Sequence, residues 1–328
     1  MTPPRPLFTA EEIDAARTLV YTQMDPTPQI AWPLLGERVG ADIIVKHENY
    51  APTGAFKVRG GITFIDWLKR THPEARGIVT ATRGNHGQSQ ARAARAAGLE
   101  AKIYVPEGNS VEKNAAMRAF GGELTVFGAD FDTAREEAMR VAARGDYFPV
   151  PPFHPELVRG VATYGYELLT AHPDLDTIYV PIGAGSGIVG TITARDALGL
   201  DTKVVGVVST AADGALRSVA AGHPVETASA RTFADGIAVR VPVQAALDIY
   251  GPGADRILAV TDAEIAAAVR LYFECTHNLA EGAGAAALAA LFQERDRMAG
   301  RKVAVVLSGG NIDTAWFARL LAGDLPEV

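Results

Sequence analysis

The sequence predicts an α/β fold on three observations: short apolar runs rich in β-branched residues, helix-length stretches between them, and glycine-rich turns where a run gives way to a helix. The runs are IIVKHE (43–48), GIVTAT (77–82), AKIYVPE (101–107), ELTVFG (123–128), DTIYVPIG (176–183), KVVGVVST (203–210), RILAVT (256–261) and KVAVVLSGG (302–310). Strands covered on both faces read as unbroken apolar segments, and strands that alternate with helices demand right-handed parallel crossovers. Between the runs lie helical stretches such as HGQSQARAARAAG (86–98), SVEKNAAMRAFG (110–121) and DAEIAAAVRLYFECTHN (262–278). Thr9 with Glu12, and Thr261 with Glu264, stand at capping-box spacing and should each open a helix. The Ala-rich GAGAAALAALF (282–292) reads as a tightly packed helix.

YFPVPPFHPE (147–156) carries four prolines without periodicity and reads as a crossing between lobes. On that reading residues 77–150 form a small, mobile four-strand α/β domain inserted in a large domain made of residues 1–76 and 151–328. No fixed-period repeat or low-complexity tail interrupts this plan.

At 328 residues the chain can bury a large core, and 48% hydrophobic with 21% charged residues is the balance of a soluble globular protein. A net charge of −7 argues against binding a nucleic-acid backbone, which needs a basic stripe. The single cysteine, Cys275, excludes an intramolecular disulfide and any CxxC metal site. MTPPRPLFTAEEID lacks the apolar core of a signal peptide, and no run approaches the ~18 apolar residues of a membrane span. A cytoplasmic protein with no metal, no nucleic acid and no membrane partner is expected.

Lys57 lies in APTGAFKVRGG (51–61), behind Phe56 and among Gly54, Gly60 and Gly61, just after a strand. Most lysines sit on solvated faces. One held among small residues near a strand end is instead suited to attack a carbonyl as an amine. In PIGAGSGIVG (181–190) the spacing Gly185-Ser186-Gly187-Ile188-Val189-Gly190 fits GxGxxG. A dinucleotide site also wants an acid at the end of the next strand, which here reads Val207-Val208-Ser209-Thr210. The phosphate-cradling physics survives without the nucleotide, because glycines let N–H groups converge on an anion at a helix start. A small phosphate monoester fits that turn better than a pyrophosphate.

TATRGNHGQ (80–88) sets Thr82, Arg83, Gly84, Asn85 and His86 at another strand-to-helix junction, suited to a carboxylate. Ordinary helix capping would account for Thr82 or Asn85, but not for the whole cluster. In LSGGN (307–311), Ser308 stands where the last strand leaves the sheet, the edge at which α/β ligands collect. No GxSxG elbow is present, so a hydrolase serine is not indicated. One ligand answers all four sites: an aldehyde for Lys57, a phosphate for the glycine turn, and a polar ring for Asn85 and Ser308. That ligand is pyridoxal 5′-phosphate.

With these residues in hand, the chain resembles the fold-type II enzymes that use this cofactor, in the serine/threonine dehydratase and serine racemase branch. KHENYAPTGAFKVRGG, TATRGNHGQ, PIGAGSGIVG, TFADGIAV (232–239), EGAGAAAL (281–288) and LSGGN carry the resemblance, from about residue 12 onward. It implies two open twisted, mainly parallel sheets flanked by helices, and a homodimer or homotetramer. It implies that Lys57 holds the cofactor as a Schiff base, with Phe56 against the ring. Gly183, Ala184, Gly185, Ser186 and Gly187 would hold the phosphate, Asn85 the ring hydroxyl and Ser308 the ring nitrogen. Gly236 and Glu281 would lie near the cofactor. Thr82, Arg83, Gly84, Asn85 and His86 would line the substrate carboxylate site. Lys57 and Ser308 would be the catalytic pair. The implied reaction is α,β-elimination from a small amino acid such as L-threonine or L-serine, yielding a 2-oxo acid and ammonia.

Four departures stand out. Arg83 replaces the racemase serine, and a guanidinium that stays protonated is a poor proton shuttle. Val208 and Gly214 occupy the positions of the divalent-cation acids. Gly160-Val161-Ala162-Thr163 replaces GQGT, near Phe153 and Arg159, and points to a remodelled side-chain pocket. Too few residues follow Ser308 for a regulatory domain, so feedback by isoleucine is not expected. These leave open a bulkier or acidic substrate, 3-phenylserine or 3-hydroxyaspartate. A β-replacement synthase, a binding module without turnover and, last, a nicotinamide-dependent oxidoreductase are the competing classes.

Overall fold

The computed structural model describes residues 6–327. Ten strands form two sheets: β1 (Gln29–Ala31), β2 (Asp42–His47), β3 (Gly77–Ala81), β4 (Glu100–Val105), β5 (Glu123–Val126), β6 (Tyr147–Pro149), β7 (Thr177–Pro181), β8 (Lys203–Ser209), β9 (Arg256–Val260) and β10 (Lys302–Leu307). The larger sheet runs β1-β2-β10-β7-β8-β9, and the smaller runs β5-β4-β3-β6. Every pairing is parallel except β1 with β2.

The alternation of side chains along the strands divides the core. Val45, Tyr179, Val205, Val207, Val303 and Val305 share one face of the large sheet with the Ala-rich helix Gly282–Gln293. Ile44, Ile178, Val180, Val204, Val208 and Val306 face the helices Pro155–Ala171 and Ser186–Ala197 on the other. Each fully buried Val or Ile contributes roughly 1.5–3 kcal/mol of apolar transfer. The small side chains of Gly282–Gln293 let it lie close to the strand ends: a methyl at Gly284 would fall 2.2 Å from the Gly309 carbonyl oxygen.

Both capping boxes form, at Thr9 with Glu12 and at Thr261 with Glu264. Two strands escape the sequence pattern. β1 is a three-residue antiparallel edge strand, too short to show a period. β6 begins inside the proline-rich segment read as aperiodic, and it closes the edge of the smaller sheet. An edge position tolerates Pro149, because one side of such a strand needs no N–H donor. No helix among the described residues is long and apolar enough to cross a membrane.

Candidate active site

Lys57 is the first residue of the helix Lys57–Thr71. The chain reaches it through Gly54, whose φ of +68° favours glycine, and through an isolated bridge between Ala55 and Gly309. Its helix is seated deeply: methyls at Gly60 and Gly61 would fall 2.7 Å from the Leu157 carbonyl oxygen and 2.3 Å from Ser89 Oγ. Lys57 Nζ donates to Ser186 Oγ at 2.9 Å and stands 4.8 Å from the Phe56 ring centroid. Removal from water pushes its ammonium down to about 8, so a useful fraction is neutral amine near physiological pH.

Ser186 opens the helix Ser186–Ala197, and Gly185 before it has φ +100°. The turn admits no side chain at Gly183 or Gly185. A methyl at Gly183 would fall 2.3 Å from the Gly236 carbonyl oxygen, and one at Gly185 2.6 Å from Ala246 Cβ. The first N–H groups of this helix have no intrahelical partner, and the helix dipole adds positive potential. Lys57 and the turn together make an amine beside an anion cradle.

Thr82 turns out to serve the backbone. Its hydroxyl oxygen accepts from Gly84 N–H at 3.0 Å and Gly87 N–H at 3.3 Å, capping the helix Asn85–Ala96. Arg83 is exposed and makes no ion pair or hydrogen bond with the described residues. Burial holds the His86 imidazole neutral, pushed down to about 3, and its Nε2 has no partner. A neutral imidazole keeps one N–H, and the backbone N–H groups at the helix start stand beside it for a carboxylate at this loop.

Ser308 is buried at the end of β10, and its hydroxyl has no partner among the described residues. Its carbonyl accepts from Phe56 N–H at 3.1 Å, tying this loop to the lysine turn. Glu281 is buried and accepts from Asn85 Nδ2 at 2.7 Å. Burial pushes its carboxyl up to about 7. Lys113, 3.7 Å away, opposes this, while Asp235 adds to it. Lys113 pairs directly with Asp235, and its ammonium is raised despite burial. Lys113 lies closer to Asp235 than to Glu281, and burial outweighs its pull on the Glu281 carboxyl. Gly236 lies beside this cluster: a methyl there would fall 2.8 Å from Ala283 Cβ and 4.0 Å from Glu281 Oε1.

Lys113, Asp235 and Asn311 escape a reading of the sequence. Lys113 reads as an ordinary helix lysine, and its stem passes over Gly84, where a methyl would fall 2.6 Å from Lys113 Cδ. Asp235 lies in TFADGIAV and Asn311 in LSGGN, so the motifs are visible but not their contacts.

Behind Lys57 lies a buried charge network. Arg59 donates to Glu48 at 2.8 Å and 3.0 Å, to Glu167 at 2.6 Å and 3.0 Å, and to Thr163 at 2.9 Å. Lys46 Nζ donates to Glu167 at 2.5 Å and to the Thr27 carbonyl at 2.9 Å. Two cations face two carboxylates, and hydrogen bonds take up the spare lone pairs. The first turn of the Lys57 helix is held in register by this network.

The donor set fits pyridoxal phosphate. A desolvated amine, a glycine-rich anion turn, an amide at Asn85 and an unpaired hydroxyl at Ser308 meet at the carboxyl ends of the strands of the larger sheet and at the helix start that faces them.

Comparison with known proteins agrees. Residues 20–309 match the pyridoxal-phosphate dependent enzyme family. The chain is 33% identical over 316 residues to the L-threonine ammonia-lyase of Thermotoga maritima, covering 96% of this chain and 78% of that one. It is 28% identical to the L-threo-3-hydroxyaspartate ammonia-lyase of Saccharomyces cerevisiae, over 94% of each chain. Among solved structures, the processed form of threonine deaminase isoform 2 from Solanum lycopersicum superposes with a TM-score of 0.88 at 27% identity, covering 97% of this chain and 95% of that one.

Proposed function

This chain belongs to the pyridoxal-phosphate dependent enzyme family, and on that footing we propose that it is an ammonia-lyase of β-hydroxy-α-amino acids of the L-threonine and L-serine type. The observation that carries the reading is the Lys57 amine beside Ser186, desolvated and next to a glycine turn built for phosphate. When bound, pyridoxal phosphate supplies an aldehyde for the substrate amine and an electron-withdrawing ring that acidifies the Cα–H bond.

The chain's own residues do the rest. The turn at Gly183, Ala184, Gly185, Ser186 and Gly187 would hold the phosphate, and Phe56 would pack against the ring. Ser308 would offer its hydroxyl to the ring nitrogen, a contact that suits a neutral ring where a carboxylate would favour a charged one. Lys57 Nζ would hold the cofactor and, as an amine, would serve as the base for the substrate α-proton. The N–H groups at the start of Asn85–Ala96 orient the substrate carboxylate. Arg83 offers a guanidinium, a poor proton shuttle, so reprotonation from the opposite face, and with it racemisation, is disfavoured.

A second reading takes an acidic substrate, 3-hydroxyaspartate. It is favoured by the exposed, unpaired guanidinium of Arg83 beside the carboxylate loop, since arginine grips carboxylates bidentately. The separate four-stranded sheet supports treating residues 77–150 as a small domain. Exposed Leu34, Phe273 and Leu321, on two helices that each pack against Asp262–Thr276 and on that helix itself, support a homodimer or homotetramer.

Release of 2-oxo acid from L-threonine, L-serine, 3-phenylserine and 3-hydroxyaspartate tests the reading. Inactivity with all four overturns it. Preference for 3-hydroxyaspartate, abolished by Arg83→Ala while threonine turnover persists, selects the second. Trapping of the intermediate by sulfide faster than hydrolysis would instead indicate a β-replacement synthase.

A further inference from the structure

We infer that Asn311 and Glu281 are positioning residues that fix which end of the Asn85 side-chain amide faces the ligand cleft. The inference rests on the reading that the cleft holds pyridoxal phosphate.

A backbone carbonyl can only accept, so it identifies its partner as a donor. Asn311 Nδ2 donates to the Thr53 carbonyl oxygen at 2.8 Å, so the NH2 end of Asn311 is the end pointing that way. The second hydrogen of that NH2 goes to Asn85, 2.8 Å away, and only an acceptor can receive it. The Asn85 atom facing Asn311 is therefore Oδ1. Its Nδ2 then faces Glu281 Oε1, at 2.7 Å. A flipped Asn85 would set N–H against N–H on one side and oxygen against carboxylate on the other. Asn311 rejects it outright, and Glu281 does so once ionised.

The protein itself engages both ends of the Asn85 amide. Its carbonyl is drawn to Asn311 and one N–H to Glu281, which leaves the second N–H as the donor it turns to a ligand. A donor stabilises an oxyanion on an aromatic ring, and an acceptor would hold that oxygen protonated.

The parts are wedged in place. Gly54, at φ +68°, leaves room where a methyl would fall 2.4 Å from Asn311 Oδ1. Gly309 leaves room where a methyl would fall 2.5 Å from Glu281 Oε1. Gly310 N–H donates to the Gly54 carbonyl at 2.9 Å, joining the Asn311 loop to the turn before Lys57. Asn85 sits on the helix that follows β3 of the smaller sheet, while its two partners belong to the larger. Docking the two sheets and aligning this amide are one event.

The test loads each protein with pyridoxal phosphate and follows its visible absorption against pH, a readout of the ring oxygen's protonation that does not depend on turnover. Asn311→Ala and the isosteric Asn311→Asp are each expected to move the titration midpoint by about one pH unit, a tenfold change in the equilibrium. Asn85→Ala should move it as far, and Asn85→Ala with Asn311→Ala no further than either alone, because both act through one amide. Circular dichroism checks folding, and if the Ala variant unfolds the Asp variant decides. Midpoints unchanged in the Asn311 variants, or shifts that add in the double variant, overturn the inference. If the unsubstituted protein takes up no pyridoxal phosphate at Lys57, the cofactor reading falls and this inference with it. If it does and the Asn311 variants titrate as it does, only the inference falls.

Discussion

Lys57 Nζ reaches Ser186 Oγ across 2.9 Å, so the first residues of two helices far apart along the chain meet at one polar contact. The amine's descent to about 8 comes from burial alone. Capture of pyridoxal phosphate by the cofactor-free protein should therefore quicken roughly tenfold per pH unit below about 8 and level off above it. Borohydride reduction at timed intervals, with peptide mapping to Lys57, measures this. A midpoint near the ordinary 10.5 would mark an unperturbed surface lysine.

Glu281 carries the opposite sign of linkage. Its folded carboxyl lies near 7 against an ordinary 4.5, so between those values the folded state binds more protons than the unfolded one. Its contribution to stability is complete below 4.5 and is lost as pH rises through 7. Glu281→Gln cannot titrate and should lose less stability across that window in urea melts. Parallel curves for the two proteins would reject the assignment.

Glu167 accepts from both Arg59 and Lys46 in the buried network. Removing one member leaves a buried cation short of a partner, so Glu167→Ala should cost about 3–5 kcal/mol of unfolding free energy. By contrast Asp66→Ala, which breaks the exposed pair with Arg70, should cost no more than about 1 kcal/mol. Equal losses in the two denaturation curves would contradict the role given to burial.

Gly185 combines φ +100° with a 2.6 Å approach to Ala246 Cβ. Gly185→Ala should strain the turn by about 1–3 kcal/mol and weaken pyridoxal phosphate binding about ten- to a hundredfold. Gly98→Ala has a similar φ of +75° but open space around it, so it should leave affinity unchanged. Equilibrium dialysis against the cofactor separates the two cases.

The parallel strands were legible because burial on both faces writes an unbroken apolar run, as in Lys302–Leu307. β1 and β6 were not, since three residues at a sheet edge carry no period and proline is tolerated there. Thr82 illustrates a different limit. Its type and place suit both capping and ligand binding, and only the bonds to Gly84 and Gly87 reveal the capping.

The amino-acid order by itself determined the alternating architecture, the lysine behind Phe56, the anion turn and the serine at the end of the last strand. These are local: they depend on periodicity, on glycine's freedom and on a residue's place at a strand end. The tertiary structure alone decided how the Asn85 amide is turned, that Lys113 answers Asp235 more than Glu281, and that His86 is neutral. Each depends on partners far apart along the chain, such as Asn85 with Asn311, and on the water that their packing excludes.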